Sequence, residues 1–208
     1  MKMTPTIFRQ STPYTCGPAC VIMALDCLKG IEPVRARETE IWEQARTNRG
    51  NFAYTTHPKL AMYLMGCGTF DMELWHRHKQ GFIHHPSMPY WEFYRRMKYY
   101  DAFRAEAEGR GLKTRIFDYS AQDIAERVRE PGTAAIVLTR IGGLTTVFHH
   151  RLVYDFDGTH LSVACPLEGA FEVTLEEFEQ LHTLAFGRGT LLIRNASDPP
   201  GGSVDSTT

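Results

Sequence analysis

Asp157-Gly158 separates two short runs rich in strand formers, His150-Arg151-Leu152-Val153-Tyr154 and His160-Leu161-Ser162-Val163-Ala164, and no other feature limits the fold as much. An Asp-Gly pair supplies the turn of a two-residue β-hairpin, so the two runs are expected to pair antiparallel. Ala134-Ala135-Ile136-Val137-Leu138 reads as a third strand, and Thr190 to Arg194 as a last edge strand. The C-terminal part of the chain is therefore expected to be an antiparallel sheet.

The N-terminal part has helical periodicity. Ser11-Thr12-Pro13-Tyr14-Thr15 is a polar loop whose proline blocks helix before it, and a helix is expected from Cys16. Cys20, Met23, Ala24, Cys27 and Leu28 then recur at three- and four-residue spacing, with Gly30 placed to cap the end. Further helices are expected over Glu38 to Arg46, Lys59 to Met65 after Thr56-His57-Pro58, Tyr90 to Gly109, Ala121 to Arg129 behind a Ser120 cap, and Leu175 to Leu184. Thr6 to Arg9 and Thr114 to Phe117 read as short strands, and Trp75 onward as an irregular insertion before the Tyr90 helix. Helices first and a meander second is an α+β pattern, taken as a single domain over 1–194 with a disordered tail over 195–208.

Bulk properties exclude more than they name. The 23 Lys and Arg against 24 Asp and Glu leave a formal net charge of −1, without the basic footprint of a nucleic-acid binder. No apolar run is long enough for a signal peptide or a membrane span, so a cytoplasmic protein with no membrane partner is expected. The 5 cysteines, an odd number in uneven positions, suit a reducing compartment and leave at least one free thiol. His76, His78, His84 and His85 fall close together, but no standard zinc frame surrounds them, and neither metal nor cofactor is expected.

The chemistry is concentrated at Cys16. A cysteine in the first turn of a helix meets unpaired backbone N–H groups and the positive end of the helix dipole, both of which favour thiolate. Gly17 would let a substrate backbone come close, Tyr14 precedes it as a second candidate substrate contact, and Pro18 suits a first helical turn. Gln10, at the end of the preceding strand, could offer its side-chain amide to an oxyanion forming beside the sulfur.

The run Gln10-Ser11-Thr12-Pro13-Tyr14-Thr15-Cys16-Gly17-Pro18-Ala19-Cys20 resembles the nucleophile motif of the bacteriocin-processing (double-glycine leader) peptidases and their stand-alone relatives without transporter domains. These are papain-like enzymes with Cys, His and Asp. The resemblance implies a papain-like fold, Cys16 as nucleophile and Gln10 as oxyanion donor. A second block, from His149 to Gly169, resembles that family's pattern of a His opening a strand, a hairpin, a second strand and an Asp-Pro. Aligned without a gap, the family's His falls on His149 and its Asp on Cys165.

The base is therefore expected at His149, with His150 as the alternative, because alternation along a strand lets only one of the pair face Cys16. The third position stays open. Asp155 or Asp157 could orient the imidazole, a Cys–His dyad could suffice, Cys165 could act as a second thiol, or the pocket could have kept binding and lost hydrolysis. The implied function is a cysteine-nucleophile hydrolase or acyltransferase that forms an acyl-Cys16 intermediate with a peptide or small acyl substrate.

Overall fold

A computed structural model describes residues 4–47, 54–77, 90–141, 147–183 and 189–196. The expected tail from Asn195 lies largely outside the described residues, as do His78, His84 and His85. The helices are α1 (Cys16–Lys29), α2 (Arg35–Ala45), α3 (His57–Gly66), α4 (Tyr90–Gly109), α5 (Ala121–Arg129) and α6 (Leu175–Thr183). The strands are β1 (Phe70–His76), β2 (Lys113–Ile116), β3 (Thr133–Ile141), β4 (Val147–Phe156), β5 (His160–Cys165), β6 (Gly169–Thr174) and β7 (Gly189–Asn195). Together they make the expected α+β fold, in which helices pack on both faces of one sheet whose strands come mostly, but not all, from the C-terminal half.

Local chemistry accounts for the helix ends. Gly30 closes α1 in the left-handed conformation, φ 65°, and donates its N–H to the Asp26 carbonyl at 2.8 Å. Ser120 and Asp123 form a reciprocal capping box at the start of α5, each side chain accepting from the other's backbone N–H.

The 7 strands form one mixed sheet in the order β2-β1-β7-β3-β4-β5-β6. The β4–β5 hairpin is present, and Asp157 Oδ1 accepts from the N–H groups of Thr159 and His160, each at 2.7 Å, to fix its turn. The segment expected as an edge strand is instead central: β7 lies between β1 and β3 and is antiparallel to both. Its Leu191, Leu192 and Ile193 are buried because both faces are covered.

β1 and β6 were not anticipated. In β1, Met72 and Leu74 enter the core while Asp71 and Glu73 alternate with them and pair with Lys113, Arg194, Arg115 and Arg127. Those acidic residues obscure a strand that covers Trp75 and His76, which are buried rather than part of an irregular insertion. Thr6 to Arg9 is not a strand. This segment is held along the end of β5, where the Gln10 N–H donates to the Pro166 carbonyl at 3.2 Å and Arg9 to the Leu167 carbonyl at 2.6 Å.

Two apolar cores lie on opposite faces of the sheet. One joins α1 and α3 to Leu74, Ile136, Leu152, Ala164 and Leu191; the other joins α5 and α6 to Val137, Val153, Val163 and Leu192. Neighbours along each strand belong to different cores, as the pleat requires.

Candidate active site

The loop before α1 is built by α2. Glu38, buried at 1% exposure, accepts from the Ser11 N–H at 2.8 Å and from Arg35 at 2.5 Å, and Arg35 also donates to the Arg9 carbonyl at 2.8 Å. Burial alone would raise the Glu38 carboxyl, but bonds from Ser11, Thr15 and Arg35 outweigh it and hold the carboxyl below its ordinary value. A buried, ionised Glu38 thereby sets the path of the chain into Cys16.

Cys16 is the first residue of α1, as the periodicity indicated. Its Sγ stands 3.5 Å from His150 Nδ1. His149, the expected base, is not there: it projects to the opposite face of β4, where its Nε2 lies 3.3 Å from the Cys165 Sγ. The pleat explains the difference, since His150 shares the α1-facing side with Leu152 while His149 shares the other side with Val153.

Cys165 therefore accompanies the other histidine, and the Glu168 N–H donates to its sulfur at 3.4 Å. The carboxylates considered as orienters are also engaged elsewhere. Asp155 Oδ1 accepts from the Phe156 N–H at 2.7 Å, and Asp157 closes the hairpin turn. The His57 ring also packs edge-on against His150, at a centroid distance of 5.0 Å and an angle of 77°.

Gln10 donates its side-chain amide to the Thr12 carbonyl at 2.6 Å, which ties it to the loop and leaves a second N–H on the same nitrogen for another acceptor. Gly17 has a structural use that differs from the expected one. A Cβ there would lie 2.2 Å from Thr55 Oγ1, so its bare backbone is needed for the approach of the segment before α3. Tyr14 is 51% exposed and stacks on Trp42, with 6.5 Å between ring centroids.

The electrostatics favour neutral partners. Burial pushes the Cys16 thiol up, against the pull of backbone hydrogen bonds from His150, Gly17 and Cys16 itself. Burial also lowers His150 to about 4. The helix terminus acts on Cys16 in the expected direction, but desolvation is the larger effect, so the resting pair is a thiol facing a neutral imidazole. His149 is lowered to about 3 by burial first and by His150 and Arg151 next.

Cys20 is buried in the α1 core, Cys27 and Cys67 are half-buried, and all five cysteines are free thiols. Among the described residues, no group of three or more His, Cys, Asp or Glu side chains is arranged to hold a metal ion. No described helix is long and apolar enough to cross a membrane. Glu38 and His57 were missed from the sequence because each meets the site through a contact remote along the chain.

A papain-like sheet with a cysteine at a helix start and a histidine on the facing strand is the architecture of a cysteine peptidase-like protein. The sequence matches the model of the Peptidase_C39 like family over residues 5–166, and the chain belongs to that family. Two solved structures share the fold. One is a double glycine motif protease from an AMS/PCAT transporter in complex with the leader peptide, at 12% identity and a TM-score of 0.53, covering 94% of each chain. The other is described as a C39-like peptidase from Bacillus anthracis, at 10% identity and a TM-score of 0.51, covering 93% of this chain and 96% of that one. A search of curated proteins found no match.

Proposed function

We propose that this protein is a cysteine-nucleophile hydrolase or acyltransferase acting on a peptide, with Cys16 as nucleophile and His150, in place of His149, as general base. The 3.5 Å approach of Cys16 Sγ to His150 Nδ1 carries this reading. The imidazole removes the thiol proton as sulfur attacks a carbonyl, forming the acyl-Cys16 thioester, and returns that proton to the leaving amine. Gln10, with its second amide N–H, serves as oxyanion donor. A peptide substrate is supported by the leader peptide bound to the double glycine motif protease of similar fold. Five free thiols support a reducing, cytoplasmic setting.

Intact-mass measurement after incubation with activated peptide esters tests the reading. The wild type should form an adduct on Cys16, His150→Ala should lose it by a factor of about 100, and His149→Ala should lose much less. Acylation that survives His150→Ala but not His149→Ala would exclude this choice of base.

A further inference from the structure

We propose that His57 is the positioning residue for His150, accepting a hydrogen bond from the imidazole N–H remote from Cys16. This rests on the reading of Cys16 and His150 as nucleophile and base. Among the described residues no carboxylate or side-chain amide bonds to His150; the Cys16 sulfur meets its Nδ1, and the His57 ring packs edge-on against it.

The sheet prepares a seat for His57. His76 of β1 pairs with Gly189 of β7, and Leu138 of β3 pairs with His150 of β4. Val137 pairs with Thr190, so the next step along that ladder sets Leu138 beside Gly189, and the four residues form one row on the α1-facing side. Within this row Gly189 leaves a notch, and the His57 ring fills it from the start of α3. A Cβ on Gly189 would stand 2.7 Å from His57 Nδ1 and 3.6 Å from the His76 ring, so any larger residue would displace the imidazole. Because Gly189 has no positive φ to accommodate, this close approach is its structural role.

The surroundings of His57 favour one tautomer. The Ile136 backbone acts on the ring in the direction that favours a protonated nitrogen, as a nearby carbonyl does. Its Nε2 is buried without a hydrogen-bond partner among the described residues. The protonated nitrogen is therefore Nδ1, and Nε2 presents a lone pair beside His150. His150 has the complementary need. With Nδ1 accepting the thiol proton, its Nε2 carries a hydrogen both before and after the transfer.

His57 would thus accept the His150 N–H as the two rings close on substrate binding, and takes no proton itself; the proton moves only from Cys16 Sγ to His150 Nδ1. The titratable groups beside His57 on its face of the sheet are His150 from β4 and His76 from β1, with His182 of α6 behind the sheet, all buried; burial first, and the cost of placing a second charge near any of them next, keeps His57 neutral. Catalytic hydrogen bonds commonly tighten only when substrate is bound, which suits two rings that meet edge-on here.

The test compares His57→Phe, which keeps a ring without an acceptor, with His57→Gln, whose side-chain oxygen restores one. Iodoacetamide alkylation of Cys16 is followed by peptide mass spectrometry across pH, with folding checked by circular dichroism. At about pH 7, His57→Phe should slow alkylation about tenfold, His57→Gln should recover most of that loss, and all forms should converge at high pH, where the thiolate forms unaided. A merely structural role would move every pH alike. Unchanged alkylation in His57→Phe, with loss in His150→Ala, overturns the role of His57 while leaving the function reading intact. No loss in His150→Ala overturns both. Should His57→Phe not fold, long-range proton–nitrogen NMR of the wild type decides: His57 protonated on Nδ1 supports the proposal, and protonation on Nε2 overturns it.

Discussion

At Cys16 two effects of opposite sign meet. The first turn of α1 and the adjacent backbone N–H groups favour thiolate, while burial to 9% exposure favours thiol, and burial is the larger. Charging His150 from a value lowered to about 4 adds a cost of roughly 3 kcal/mol relative to an exposed imidazole. The pair should therefore rest neutral and separate charge only as substrate arrives and water leaves. Thiolate absorbance of the wild type minus Cys16→Ala should rise with a midpoint above the ordinary thiol value of 9.0. A midpoint below about 8 would mean that the helix terminus outweighs burial. Cys16 and Gln10 were visible in the sequence because their relation is local. Between the two histidines, alternation allowed only one to face Cys16, and the ungapped resemblance favoured His149, whereas His150 stands beside the sulfur.

Among the elements, legibility followed the strength of the local signal. α5 was read to its boundaries because Ser120 and Asp123 cap it within four residues of chain. Ser120→Ala should lower stability by about 1 kcal/mol in urea unfolding. An unchanged midpoint would show that tertiary packing alone defines that helix start. The β4–β5 hairpin was equally legible from Asp157-Gly158. β1 was hidden by Asp71 and Glu73, whose charges are neutralised by Lys113, Arg194, Arg115 and Arg127 from other parts of the chain. β7 was seen as a strand but misplaced at an edge, since neither neighbour adjoins it in sequence.

For the molecule as a whole, the unusual feature is a set of imidazoles kept uncharged inside the fold. His57 is held well below its ordinary value, and His149, His150 and His182 are lowered to about 3, 4 and 4, burial being the first cause in every case. Each binds its proton more readily in the unfolded chain, so between the ordinary value of 6.5 and about 4 the unfolded state holds more protons and stability falls as pH falls. Each fully titrating group contributes at most about 1.4 kcal/mol per pH unit over that window. Urea unfolding at pH 7 and pH 4.5 should show a large loss of stability at the lower pH. Equal stability at the two values would mean that these imidazoles are hydrated in the folded state. Sequence by itself determined the α+β class, the helix that opens on Cys16, the hairpin, and a resemblance to the family over the segment from Gln10 to Cys20, because periodicity, turn chemistry and short motifs act within a few residues. Only the tertiary structure decided that His150 faces the sulfur, that Cys165 joins His149 behind the sheet, and that Gly189 makes room for His57. Those depend on which strands neighbour one another and on which face of the pleat each side chain takes, and packing across distant segments sets both.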